Sequence, residues 1–163
     1  MALISNWLKN KLIRKDNGII FDTYNSDCFN VVQDFLESCD CKFKTHAIYY
    51  QAFPEESALE FLNTLGEELT SKLSRAESNT KRSLLEIIQD SELKLILIDN
   101  CHLHPQDTLQ NLINFFAVCE VGVILIGHDD KMAIAQILSN PMLHQWDSIN
   151  ATPERCEPSP KIG

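Results

Sequence analysis

A run of apolar residues that ends in a carboxylate is the feature of this sequence with the clearest chemical meaning. Residues 95–98 are all apolar, Asp99 follows them directly, and Asn100 comes next. A carboxylate at the end of a buried strand can hold a magnesium ion, and an acidic residue after it would accept the proton of an attacking water. Asn100 can orient a water molecule but cannot accept its proton. A second apolar run, 121–127, is followed by His128. The two runs together predict the fold of a nucleotide hydrolase from which part of the hydrolytic chemistry is missing.

The segment after the first predicted strand lacks the residue types that bind phosphate. Such a loop binds phosphate when glycines expose backbone amides, a lysine neutralises the charge, and Ser or Thr holds magnesium. Residues 22–29 have the right length but contain no glycine. Cys28 and Phe29 stand where the lysine and the hydroxyl residue are needed. Asp22 and Asp27 would repel a triphosphate. We therefore expect phosphate binding to be lost at this loop.

Hydrophobic periodicity predicts helices that alternate with strands. The predicted helices are 2–15, 28–38, 55–74, 78–90, 105–118 and 129–138. The predicted strands are 18–21, 45–50, 93–98 and 121–126. Such alternation favours a three-layer α/β/α fold around a mainly parallel sheet. The functional loops should follow the carboxyl ends of the strands, at Asp22, Gln51, Asp99 and His128.

Charge and composition argue against several classes of function. The formal net charge of −9 disfavours autonomous nucleic-acid binding, because phosphate contacts need clustered Lys and Arg. A small basic group fits a solvated helix face and consists of Lys9, Lys11, Arg14 and Lys15. No apolar run reaches the ~18 residues that would span a bilayer, and the N-terminus lacks a signal-peptide pattern. We therefore expect a cytoplasmic protein with no membrane contact.

The six cysteines do not indicate a metal site. The segment 39–41 holds two closely spaced cysteines, and the segment 101–104 holds one cysteine with two histidines. Zinc sites usually show wider, paired spacings. We expect no metal and no cofactor, and we expect reduced thiols, with Cys28 and Cys119 packed in the core.

The order of these segments resembles the AAA+ ATPases of DNA transposition, the TniB/TnsC type. The resemblance covers residues 3–149 and is carried mainly by the segments 95–103 and 123–129. It implies a P-loop NTPase-like fold with one AAA+-like domain over residues 1–149. The helical lid domain of the family is not expected here. Residues 150–163 have the composition of a disordered tail.

The same resemblance assigns positions to the candidate site residues. Asp99 matches the magnesium-associated Walker B acid, Asn100 replaces the glutamate that activates water, and His128 matches the sensor position. Where the family places an arginine finger, this sequence has Gln145 or Trp146, and neither supplies the positive charge that stabilises phosphoryl transfer. We therefore expect no catalytic residues and only a vestigial nucleotide site at Asp99, Asn100 and His128.

Three functions from different classes fit these observations. We favour a catalytically inactive, AAA+-like module that binds or regulates a protein partner, which would be an active AAA+ ATPase, a component of DNA transposition or recombination, or a second copy of this chain. An acidic surface suits docking on a basic partner. The alternative is a nucleotide-binding ATPase with an unconventional P-loop. A further alternative is a receiver-like signalling domain with Asp99 as the phosphoacceptor.

Overall fold

The computed structural model describes residues 2–22, 28–39, 46–72, 83–128 and 139–151. The described helices are α1 (Ala2–Arg14), α2 (Cys28–Cys39), α3 (Ala58–Lys72), α4 (Leu84–Ser91) and α5 (Gln106–Val118). The described strands are β1 (Gly18–Asp22), β2 (Ala47–Gln51), β3 (Leu95–Asp99), β4 (Gly122–His128) and β5 (Asp147–Ala151). Two short 3₁₀ helices cover Cys101–Leu103 and Pro141–Gln145. No helix within these ranges is long and apolar enough to cross a membrane.

The five strands form one sheet in the order β2-β3-β4-β1-β5, and every pairing between them is parallel. The predicted fold class, a three-layer α/β/α domain on a parallel sheet, is confirmed. In the receiver-type strand order β1 lies beside β2. Here β3 and β4 lie between those two strands, so the receiver-like alternative is contradicted by the topology.

The two faces of the sheet bury separate hydrophobic clusters because side chains alternate along each strand. On β3, Leu95 and Leu97 pack toward α1 and α2, whereas Ile96 and Ile98 pack toward α3, α4 and α5. All four side chains are fully buried. The continuous apolar run of β3 therefore reflects a central strand that helices cover on both sides.

The start of α3 differs from the predicted start at residue 55, directly after Pro54. Pro54 lies in a turn with Glu55, whose φ is 60°, and the helix begins only at Ala58. Ser57 Oγ accepts the Glu60 backbone N–H at 3.1 Å, and a Glu60 carboxylate oxygen accepts the Ser57 N–H at 2.9 Å. This reciprocal capping box satisfies two free donors of the first turn, so it fixes the helix start more strongly than the proline does.

One further helix start differs from the prediction, one predicted helix is not tested, and one strand was missed. Helix α4 begins at Leu84 with Ser83 as its N-cap, and the predicted start at 78–79 lies outside the described residues. The predicted helix 129–138 also lies outside them. Strand β5 was not predicted. It includes the first two residues of the expected tail, and the rest of that tail is not described.

A polar cluster ties α1 to the amino end of β5. Trp7 Nε1 donates a hydrogen bond to Asp147 Oδ2 at 2.8 Å, and Lys11 Nζ lies 3.3 Å from the same oxygen. Lys11 also lies 3.6 Å from Asp16 and 5.2 Å from the centre of the Trp7 ring. Lys11 is only 7% exposed, so the expectation that it belongs to a solvated basic face was wrong.

We expect Asp147→Asn to make the stability of the fold depend less strongly on pH in the acidic range. The hydrogen bond from Trp7, with the charge of Lys11, lowers the pKa of Asp147. The ionised carboxylate therefore stabilises the fold above the unfolded-state pKa of about 4, and this contribution is lost as pH falls through the lower folded-state pKa. The effect should be small because the side chain is largely exposed. Thermal unfolding in a series of acidic buffers measures it, with Asp34→Asn on α2 as the control for losing one carboxylate; equal slopes for both variants would contradict it.

Candidate functional site

The polar residues predicted to carry chemistry lie at one edge of the sheet. All strands are parallel, so their carboxyl ends meet there, and the register pairs Asp22 with His128 and Gln51 with Asp99. Strand β1 leads toward α2 on one face of the sheet, whereas β3 leads toward α5 on the other. A crevice at such a divergence is the usual ligand site of open α/β sheets.

Asp99 is held by donors from the protein itself. Its Oδ2 accepts a hydrogen bond from the Tyr49 hydroxyl, and its Oδ1 accepts the Asn100 backbone N–H at 2.7 Å. Its backbone carbonyl accepts the Ala52 N–H at 2.9 Å. Burial, with the hydrogen bond to Asp99, raises the pKa of Tyr49, so this phenol stays protonated and remains a donor at neutral pH. Both carboxylate oxygens of Asp99 therefore already have a partner.

Asn100 lies at the turn directly after Asp99, in a backbone conformation that suits asparagine. Its φ of 53° and ψ of 37° lie in the left-handed region, which asparagine tolerates better than most residues. Its carbonyl accepts the Leu103 N–H at 2.9 Å and so starts the 3₁₀ helix. An asparagine here allows the chain to turn directly after Asp99, in place of the glutamate that would accept a proton from water.

Cys28 is the first residue of α2, and its side chain is buried beside the same carboxylate. Burial raises the pKa of this thiol to about 12, and the negative charges of Asp22 and Asp99 contribute to the shift. A cysteine at a helix N-terminus usually has a lowered pKa, so at this position burial, with a contribution from the two carboxylates, outweighs the effect of the helix start. Neighbouring Phe29 is exposed and contacts the Tyr49 ring edge-on, with 6.0 Å between ring centres.

We expect Cys28 to be nearly inert toward alkylating agents in the folded protein. A pKa near 12, against an ordinary value of 9.0, lowers the thiolate fraction by roughly a thousandfold at mildly alkaline pH. Timed iodoacetamide labelling with peptide mass spectrometry measures the rate at this cysteine. The same protein in urea is the control, and it should react at the rate of a free thiol. Similar rates in the two conditions would show that the thiol is neither buried nor opposed by the carboxylates.

A second polar cluster lies on the opposite face of the sheet and was missed from the sequence. Glu56, in the loop after β2, accepts hydrogen bonds from the Tyr50 hydroxyl at 2.6 Å and from the Phe53 backbone N–H at 3.4 Å. His104 Nε2 lies 2.8 Å from Glu56 Oε2. His104 lies in the loop after β3, yet its side chain is only 2% exposed. Thr108 Oγ1 donates to the Glu56 carbonyl at 2.8 Å.

Of the remaining predicted positions, only Gln145 and Trp146 have described side chains, and both lie near the amino end of β5, away from these groups. Asp27 lies outside the described residues, and His128 is placed only by its backbone register. Gln145 is exposed at the end of a 3₁₀ helix, and Trp146 packs against the core on the α5 side. Within the described ranges, no cluster of three or more His, Cys, Asp or Glu side chains could hold a metal ion.

Comparison with known proteins supports the fold described above. The family model described as an AAA domain matches residues 4–132, which run from the first helix past β4. The chain therefore belongs to the AAA domain family, and its fold is that of a P-loop nucleotide-binding domain. A search of curated proteins found no significant match.

Proposed function

We propose that this chain is a catalytically inactive AAA-type domain that acts by binding another protein. The observation that carries the proposal is the state of Asp99, the one acidic residue at the end of the strand where the family would hold magnesium. The Tyr49 hydroxyl and the Asn100 N–H occupy both of its oxygens. A magnesium ion at this carboxylate would compete with the hydroxyl of a tyrosine that is itself packed against Phe29.

Electrostatics at the start of α2 support the same proposal. A phosphate-binding helix start offers free amides and a positive charge. The pKa of the Cys28 thiol is instead raised by burial, and the negative charges of Asp22 and Asp99 raise it further. A triphosphate brought to this point would meet the same negative charges, and their repulsion is strong in a partly buried setting.

Hydrolysis lacks a proton acceptor in this arrangement. Asn100 cannot act as a general base, and its left-handed backbone conformation suits the turn that it makes. The side chains at the expected arginine-finger position, Gln145 and Trp146, carry no positive charge. The two positions at which the resemblance to transposition ATPases places the water-activating glutamate and the arginine finger therefore lack those groups.

The partner class follows from the resemblance and the charge. A protein that keeps an AAA-type scaffold without its chemistry can still present the surfaces by which such domains recognise one another. We propose as the partner an active AAA+ ATPase, a transposition or recombination component, or a second copy of this chain, in the cytoplasm. The net charge of −9 favours a basic docking surface and disfavours direct nucleic-acid binding.

The second candidate is a nucleotide-binding protein with an unconventional P-loop, and membership of the AAA domain family favours it. It requires Tyr49 to leave Asp99 when magnesium and nucleotide bind. Tyr49→Phe removes the hydroxyl that binds Asp99 and keeps the ring. If the second candidate is correct, this variant should bind nucleotide more tightly than the natural chain.

Thermal unfolding with and without millimolar Mg-ATP or Mg-ADP separates the two candidates. A ligand at about 100 times its dissociation constant stabilises a protein by ~2.7 kcal/mol, which raises the melting temperature by several degrees for a domain of this size. We expect no shift for the natural chain, for Tyr49→Phe or for Asp99→Asn. A shift that Asp99→Asn abolishes and Tyr49→Phe enlarges would overturn the proposal in favour of nucleotide binding.

A further inference from the structure

Strand β2 forms one border of the sheet, and among the described residues no strand pairs with its outer side. The outer side of a border strand presents backbone donors and acceptors that can pair with another extended chain. Proteins commonly shield such edges with charged residues or cover them, because an open edge accepts strands from other molecules. The surroundings of β2 therefore determine what it can accept.

Backbone hydrogen bonds at both ends of β2 show which residues face outward. The Ala52 N–H binds the Asp99 carbonyl at 2.9 Å, and the Leu95 N–H binds the His46 carbonyl at 3.0 Å. In a parallel ladder alternate residues bond to the same neighbour, so the even-numbered positions 46–52 face β3. The odd-numbered residues Ala47, Tyr49 and Gln51 consequently direct their backbone N–H and C=O groups toward the outer side.

A groove runs along this edge between two helices. Its cavity of about 270 Å³ is lined by α2, β2 and α3 through Gln33, Leu36, Glu37, Ala47, Ile48, Tyr49 and Glu68. The volume lies just below the range of about 300–1,000 Å³ that is usual for small-molecule and cofactor sites. A strand of peptide needs less enclosed space, because only its side chains enter pockets while its backbone pairs with the sheet.

The charges of the groove select a basic occupant. Glu37 of α2 and Glu68 of α3 both line the cavity, and the two helices lie on opposite faces of the sheet. Side chains of a strand alternate between those faces. Two consecutive Lys or Arg residues in an added strand would therefore each point toward one of the two glutamates. Leu36 adds apolar surface on the α2 side.

We propose that the outer edge of β2 is a docking site for an extended, basic peptide segment of a partner protein, which adds to the sheet as a sixth strand. The backbone of Ala47, Tyr49 and Gln51 supplies the pairing, and Glu37 and Glu68 supply the selectivity for Lys or Arg. This inference rests on the proposed function, since it gives the protein-binding module its docking surface and the chemical class of its ligand.

A labelled synthetic hexapeptide tests the docking site directly. The probe is N-acetylated, C-amidated Val-Thr-Lys-Lys-Thr-Val carrying a fluorophore, and fluorescence anisotropy with the full chain gives the dissociation constant. The control probe has the same sequence with N-methyl groups on alternate residues, which remove the backbone donors that strand pairing needs. We expect the first probe to bind and the control probe to lose at least about tenfold in affinity, as the removal of several hydrogen bonds implies.

Matched variants of the chain test the charge selectivity. Glu37→Gln with Glu68→Gln should raise the dissociation constant about three- to tenfold, which is what two partly exposed ion pairs contribute. Asp34→Asn with Glu67→Gln removes the same charge from the exposed faces of the same two helices and should change the constant less than twofold. The site would be overturned if the two double variants bound the first probe equally weakly. It would also be overturned if the N-methylated probe bound as tightly as the first probe, because either result would indicate general charge attraction.

The outcomes separate this inference from the proposed function. No binding of the first probe, in a protein whose melting temperature does not respond to Mg-ATP, overturns the β2 site and leaves the inactive AAA-type module standing. A response to Mg-ATP together with selective binding of the probe overturns the inactive module and leaves the β2 site standing.

Discussion

Glu56→Ala will lower the free energy of unfolding by about 3–5 kcal/mol, because a buried polar group left without its hydrogen-bond partner costs about 1–3 kcal/mol and this carboxylate serves two such groups. For a domain of this size that corresponds to a fall in melting temperature of roughly 6–20 °C. The Glu56 carboxylate is buried and accepts from Tyr50 at 2.6 Å, and His104 Nε2 lies 2.8 Å from it. Alanine would leave the buried hydroxyl and imidazole without this acceptor.

The effect should be large because this carboxylate connects one strand and two loops. Tyr50 comes from β2, Glu56 from the loop after it, and His104 from the loop after β3. The ring of Phe61 contacts both Tyr50 and His104, with ring centres 4.1 and 5.7 Å apart. A misplaced His104 or Tyr50 therefore disturbs the apolar core as well as the hydrogen bonds.

Urea unfolding of three variants checks this expectation. Glu56→Ala is compared with Glu56→Gln, which retains a carbonyl acceptor and should lose less. Glu67→Gln is the control, because this glutamate is exposed on α3 and its change should stay within about 0.5 kcal/mol. A loss below about 1 kcal/mol for Glu56→Ala would mean that the network is solvated and contributes no more than a surface ion pair.

The elements that sequence patterns predicted are those with strong local periodicity. Strand β3 was predicted from its continuous apolar run, and its four apolar residues are fully buried. Strand β5 was missed because Asp147, Ser148 and Asn150 are polar and exposed, and only Ala151 is buried. It is a strand because β1 offers it a backbone ladder along its whole length, and hydrophobicity patterns do not report such pairing.

The site was predictable only in part, for a related reason. Asp99 follows a buried strand and could be identified from its position alone. Its partner Tyr49 lies 50 residues earlier in the chain, and nothing local in the sequence pairs the two. The contact becomes evident only once β2 is known to lie beside β3 in the sheet. The same holds for Glu56 and His104, which are 48 residues apart. Long-range side-chain contacts follow from topology, so they cannot be predicted from one sequence when its strand order is unknown.

The position of Tyr49 connects the two regions that carry the proposals. Its hydroxyl binds Asp99 at the carboxyl edge of the sheet, and the same residue lines the groove beside β2. Its backbone belongs to the outward-facing set on that strand. A peptide that pairs with β2 would therefore stiffen the residue that occupies Asp99. Under the proposed function, partner docking and the blocked carboxylate would support each other.

The second large effect is expected at Gly122, the first residue of β4. A Cβ atom built on this glycine would lie 2.7 Å from the Asp16 carbonyl oxygen and 2.8 Å from the Lys15 carbonyl carbon. Both neighbours are backbone atoms, so neither can rotate away. The turn that holds them is fixed, since the Asp16 N–H binds the Lys11 carbonyl at 3.0 Å and Asn17 Oδ1 accepts the Val123 N–H at 2.9 Å. We expect Gly122→Ala to cost about 3 kcal/mol, the upper part of the range for overpacked sites.

Gly66→Ala is the matched control for this substitution, because it makes the same chemical change where space is available. A Cβ atom at Gly66 would meet only the Leu84 side chain at 3.4 Å, an ordinary contact, and the site lies inside α3. Alanine there should stabilise the protein by about 0.5–1 kcal/mol through helix propensity. Urea denaturation of both variants therefore gives changes of opposite sign. If Gly122→Ala were as stable as the natural chain, the turn at 15–17 could not lie against the start of β4. The connection from α1 to β1 would then have to follow a different path.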